Sequence, residues 1–80
     1  EMNIRFRGNN KTAFKKALKT MQKQAKKHNG TVTYTLNGNS LQITITGVST
    51  TVRQNLAKQA QKLAKNFNIT VTYTIRGSWS

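Results

Sequence analysis

Eighty residues suffice for one small domain with a single modest core between two layers, and leave no room for a second. The chain has no Cys, which removes disulfides, thiolate metal sites, iron–sulfur clusters and thiol nucleophiles, and no apolar run approaches the ~20 residues of a membrane span. Fourteen Lys and Arg face a single acid, Glu1, for a net charge of +13, a balance that favours polyanions, nucleic acid foremost and acidic membrane surfaces after it.

The opening residues EMNIRFRG lack the apolar core of a signal peptide. Met2, Ile4 and Phe6 alternate there with Asn3, Arg5 and Arg7, which predicts a strand with one buried face. Asn9 or Asn10 is a suitable N-cap for the helix that follows. Its apolar stripe runs through Phe14, Leu18, Met21 and Ala25, with His28 at its end. The tripeptide HNG predicts a stop with Gly30 in the left-handed region. TVTYTL then places Val32, Tyr34 and Leu36 on one face of a second strand, and LNGNS carries an Asn-Gly hairpin signal. LQITITG places Leu41, Ile43 and Ile45 on one face of a third strand. Ser49 or Thr50 caps a second helix whose stripe is Val52, Leu56, Ala60, Leu63 and Phe67, and Asn68 suits its left-handed stop. ITVTYTI contributes Ile69, Val71, Tyr73 and Ile75 to a last strand.

The chain repeats itself. Sliding it by 39 residues lays Met2–Gly38 on Leu41–Gly77 without a gap, and 15 of the 37 positions are identical, so the likeness extends well beyond TVTYT. Each copy reads strand, helix, strand. Two such units joined by a hairpin, each with a right-handed crossover, predict an α+β two-layer ferredoxin-like split βαβ sandwich. Its antiparallel sheet runs 4-1-3-2 with both helices on one face. Strands two and four are then equivalent sheet edges, which accounts for TVTYT appearing twice. Uncharged, β-branched edges invite pairing with another chain, and repulsion between +13 molecules opposes it. Residues 1–77 are expected to form the single domain, monomeric, and residues 78–80 a short appended tail carrying Trp79.

The segments MNIRFRG, LQITITGV and VRQNLAKQAQKLAKNFNITVTYTIRGS, with the NGN hairpin, resemble a de novo designed ideal ferredoxin-like protein over Met2–Ser78. The resemblance implies a folding scaffold without an active site, so no functional residue carries over. The departures are in charge. Designed helices set Glu against Lys at i,i+4 and place acids in the first turn. Here the second helix has Gln and Asn where Glu is expected, and the first carries Lys11, Lys15, Lys19, Lys23 and Lys27 in one i,i+4 row. The sequence reads as an ideal scaffold whose acids have been replaced by neutral or basic residues.

General acid–base catalysis needs at least two positioned titratable groups. Only Glu1, at the terminus, and His28 are at hand, and His28 reads as a partly buried residue or a cation at a helix C-terminus. One His without a neighbouring thiolate or carboxylate has no partner for holding a metal. No metal, cofactor or catalytic residue is expected. Acylphosphatases share this fold and bind phosphate with an Arg and loop amides after the first strand. RFRGNNKTAF offers Arg7, Gly8 and a helix N-terminus there, but the rest of that family's motif is not visible.

RNA-recognition modules also share the topology and stack bases on aromatics of the open sheet face. The open face here is expected to carry Asn3, Arg5, Arg7, Gln42, Thr44, Thr46 and Arg76 among the Thr of the edge strands, with Tyr34 and Tyr73 turned toward the helices. What remains is attraction to phosphates without base reading. The expected contacts are Lys11, Lys15, Lys16, Lys19, Lys23, Lys26 and Lys27 on the first helix, Lys58, Lys62 and Lys65 on the second, and Arg5, Arg7 and Arg76 on the strands. No specific partner is expected; non-specific nucleic acid or another polyanion is the alternative to a scaffold with no natural activity.

Overall fold

The computed structural model describes residues 1–76 and has the predicted order: β1 (Met2–Arg7), α1 (Lys11–Lys27), β2 (Thr31–Asn37), β3 (Ser40–Thr46), α2 (Thr50–Phe67) and β4 (Thr70–Ile75). The tail with Trp79 lies outside the described residues. The strands form one antiparallel sheet in the order β2-β3-β1-β4, which is 4-1-3-2 read from the other edge. Both helices cover the face onto which Met2, Ile4 and Phe6 of β1 and Leu41, Ile43 and Ile45 of β3 project.

Those six side chains are at most 1% exposed. Each gains about 1.5–3 kcal/mol by leaving water, so the two central strands anchor the fold. Phe14, Ala17, Met21 and Ala25 of α1 and Leu56, Ala60, Leu63 and Ala64 of α2 close over them. The stripes are wider than the apolar spacing suggested, because Ala13, Ala17, Ala57 and Ala64 are buried as well. His28 does not extend the first stripe. It is exposed at the C-cap of α1, whereas its counterpart Phe67 is half-buried.

The turns follow the repeat, with two revisions to the sequence reading. The caps are Asn10 and Ser49: the Ala13 N–H donates to Asn10 Oδ1 at 3.0 Å, and the Val52 N–H donates to Ser49 Oγ at 3.2 Å. The first helix stops with Asn29 in the left-handed region, at φ 62°, matching Asn68 at 56°, and not with Gly30. Gly30 answers a steric demand, since a Cβ there would lie 2.5 Å from Val48 Cγ1. The hairpin closes on Asn37 opposite Ser40, so its central pair is Gly38-Asn39 rather than Asn37-Gly38. Of these two only Gly38 has positive φ, the pattern of a II′ turn with Gly first, where I′ would need both.

One buried residue escaped the apolar pattern altogether. Arg53 is only 4% exposed, and in the repeat it stands where α1 has Phe14. Its Nη1 donates to the Val48 carbonyl and its Nη2 to Thr50 Oγ1, both at 2.9 Å, while its buried Nε has no partner. The guanidinium thus holds the β3–α2 turn in place of an aromatic ring. Arg53→Ala should lower the unfolding free energy by about 2–4 kcal/mol, through two lost charge-assisted bonds, a stranded carbonyl and lost packing. Urea unfolding checks this; a loss below about 0.5 kcal/mol, the usual range for surface substitutions, would show that the fork does not secure the turn.

Candidate polyanion-binding surface

Covering one sheet face with two helices sorts the basic residues onto two opposite surfaces. On the helical layer, Lys11, Lys15, Lys16, Lys19, Lys23, Lys26 and Lys27 of α1 and Lys58, Lys62 and Lys65 of α2 are all exposed. Lys16 reaches across to α2, where its Nζ lies 5.9 Å from the Phe67 ring centroid, at the outer limit of a cation–π contact. The last turns of the helices carry Lys26, Lys27 and Lys65, favourable for the helix dipoles, but neither first turn has an acid. Glu1, the single acidic side chain, accepts from Asn3 Nδ2 at 3.1 Å.

Arg5, Arg7 and Arg76 lie apart from these lysines. Arg5 and Arg7 alternate with the buried residues of β1 and are exposed on the uncovered face. Arg5 Nη2 donates to Gln42 Oε1 at 3.0 Å, and Thr44 Oγ1 donates to Asn3 Oδ1 at 2.8 Å, so polar pairs bridge β1 and β3. Asn3, Arg5, Gln42, Thr72 and Thr74 line a shallow polar depression of about 270 Å³ on this face. Arg76 is exposed just beyond β4, its N–H donating to the Glu1 carbonyl at 2.8 Å. The sequence-predicted contacts therefore form a lysine-rich helical face and a sparser arginine-bearing sheet face, not one patch.

Tyr34 and Tyr73 sit on the helical side, as their parity predicted, yet they are 53% and 42% exposed, because the helices do not cover the edge strands fully. Among the described residues the open face carries no aromatic for base stacking. The loop after β1 is poorly disposed to cradle phosphate. The Gly8 N–H is already committed to the Asn39 carbonyl at 2.9 Å, and the Ala13 and Phe14 N–H groups to Asn10. Among the described residues, no three His, Cys, Asp or Glu come together.

Sequence reasoning missed Arg53 as a buried cation. The signal was present in the repeat, where Arg53 falls on Phe14, a core position. It also missed the grooves beside the edge strands, which depend on how far each helix overhangs the sheet and leave no mark in an apolar pattern. No protein-family model matches the chain, and no curated protein matches it in sequence.

Charge is the dominant surface property. Thirteen net charges on 5462 Å² leave about 420 Å² for each, a mean spacing near 20 Å. That exceeds the ~10 Å Debye length at 0.1 M salt but not the ~30 Å at 0.01 M. The four i,i+4 pairs of the Lys11–Lys27 row, at about 0.2–0.5 kcal/mol each, set the local repulsion at roughly 1–2 kcal/mol. The melting temperature should therefore rise by about 4–8 °C between 0.01 and 0.1 M chloride, and further with sulfate or phosphate. Replacing Gln54, Gln59 and Gln61 by Glu should raise the low-salt value and flatten its salt dependence. Calorimetry at the two salt concentrations decides, and a flat or falling melting temperature refutes the account. In the β1–α1 loop, acyl-phosphate hydrolysis by the purified protein should not exceed buffer, leaving nothing for Arg7→Ala to abolish; a rate that saturates with substrate would contradict this.

Proposed function

We propose that this chain is a de novo designed folding scaffold of the ferredoxin-like class, with its surface made strongly basic by replacing acids, and with no natural biochemical activity. The observation that carries the reading is agreement between levels. Each helix has a side-chain N-cap at the equivalent position, Asn10 and Ser49. Each also has an Asn in the left-handed region at its end, and the hairpin is a two-residue turn led by Gly. Local propensity, binary pattern and turn chemistry all point to one fold, which is the design criterion.

The lysine-rich helical face favours a second reading, a module that attracts nucleic acid or another polyanion without reading sequence. Ten exposed Lys can neutralise phosphates, and the uncovered sheet face offers Thr, Asn, Gln and Arg in place of stacking rings. Titration with a random duplex across salt concentrations separates the two readings. Sub-micromolar affinity at physiological salt would establish the module, and millimolar or absent binding would retire it. Whatever affinity exists should fall steeply with salt and be indifferent to base sequence. Comparing unrelated oligonucleotides tests this; a preference above about tenfold, or ~1.4 kcal/mol, for one of them would contradict it.

A further inference from the structure

The two edges of the sheet share a spelling but not a neighbourhood. Beside β2, an apolar groove of about 140 Å³ opens against α1, floored by Phe14, Leu18 and Leu41 and walled by Tyr34 and Leu36. Its volume is close to the ~150 Å³ apolar cavity that accepts a benzene-sized group. Lys11 and Lys15 stand on its rim. The equivalent groove beside β4 has Tyr73 and Ile75, but Gln54, Gln61 and a single Lys58 face them.

Backbone groups complete the β2 site. Glu1 and Arg76 exchange both of their backbone bonds, at 2.8 and 3.0 Å, and the Gly8 N–H donates to the Asn39 carbonyl. These bonds fix the phase of the whole antiparallel ladder. Leu41, Ile43 and Ile45 of β3 pair through hydrogen bonds with β1, so Gln42 and Thr44 pair with Thr35 and Thr33 of β2. Val32, Tyr34 and Leu36 are then the residues whose N–H and C=O groups point outward from the edge. Their side chains are also those on the groove side. An antiparallel strand added here would bond to these three residues and send the side chains of its own bonded residues into the groove.

We propose that the β2 edge is a binding site for an extended acidic peptide, which adds as an antiparallel fifth strand, seats one aliphatic side chain against Phe14 and Leu36, and sets flanking carboxylates two residues away on Lys11 and Lys15. Charge complementarity selects this occupant. A second copy of the chain would bring another +13 and its own uncharged edge, and nucleic acid has no backbone to continue the ladder. The inference goes beyond the polyanion reading, since charge alone does not need the edge.

The probe is the acetylated and amidated peptide Thr-Glu-Thr-Leu-Thr-Glu-Thr, whose Glu and Leu residues are the ones that bond to an antiparallel neighbour. Amide NMR should place the largest shifts at Val32, Tyr34 and Leu36. N-methylation at the Glu and Leu residues should weaken binding at least tenfold. The protein variant Lys11→Gln/Lys15→Gln should weaken it three- to tenfold and reduce its salt dependence, and Leu36→Ser, at a half-exposed position, should weaken it by a similar factor. Equal affinity for the N-methylated peptide would overturn the proposal while leaving the polyanion reading standing. Equal shifts at Val71, Tyr73 and Ile75 would overturn it, as would concentration-dependent shifts at the β2 edge without peptide, or the same amide shifts with an oligonucleotide.

Discussion

The apolar face that β1 and β3 share is the surface on which every other feature of this fold depends. Side chains alternate along a strand, so a one-residue slip of β1 against β3 would put Arg5 in the core in place of Ile4, or Gln42 in place of Ile43. Burying an unpaired guanidinium there costs several kcal/mol, comparable to the whole net stability of a small domain. Register is thereby fixed from the centre outward, and the turns adapt to it. The hairpin reverses in two residues because Asn37 must face Ser40. At opposite ends of the molecule the crossovers lie close in complementary fashion. Ile69 sits over Gly8, where an added Cβ would lie 2.8 Å from its Cγ2, and Val48 sits over Gly30.

With the apolar residues of β1 and β3 confined to one face, the charges have nowhere to go but the outer helical surface and the uncovered sheet. The exception is Arg53, and it is instructive. A cation near the N-terminus of a helix is unfavourable for the dipole, and no acid is near enough in the sequence to neutralise it. Yet its stem fills a position that packs a ring in the other copy, and its fork supplies donors to a turn carbonyl and a hydroxyl. Arg combines an apolar stem with a weakly hydrated head, which is why it can take such a place where Lys would not. The buried Nε without a partner is what that compromise leaves behind.

Most of the architecture was legible because the repeat doubled every signal. Period-two alternation marked the four strands, the apolar stripes marked the helices, and the pseudo-twofold told which strands are edges. Legibility failed where a residue's role depends on what lies opposite. Asn29 and Gly30 are both permissive at a helix end, and only the nearness of Val48 assigns the smaller residue to the tight spot. Gly38 serves either hairpin turn, and the ladder decides which neighbour joins it. His28 looked like the end of a stripe, but the helix finishes there and turns it to solvent. The lysines of the candidate surface were legible as exposed, since they fall outside the buried stripe of each helix. Their division from Arg5, Arg7 and Arg76 follows once the sheet has a covered and an uncovered face.

Symmetry in the backbone and asymmetry in the side chains then have different consequences. The equivalent caps, left-handed stops and TVTYT strands make the two edges the same kind of hydrogen-bonding surface. The substitutions between copies make them different environments. Phe14 faces one groove where the other copy holds Arg53 in its core, Leu18 matches Ala57, and Lys15 matches Gln54. Each exchange removes apolar floor or positive rim from the β4 side and leaves it on the β2 side. A pseudo-twofold fold with a uniform surface would offer every partner two equal sites. Here the departures from the repeat concentrate both apolar contact and positive charge beside one strand, so any selectivity this molecule has arises from where its copies disagree.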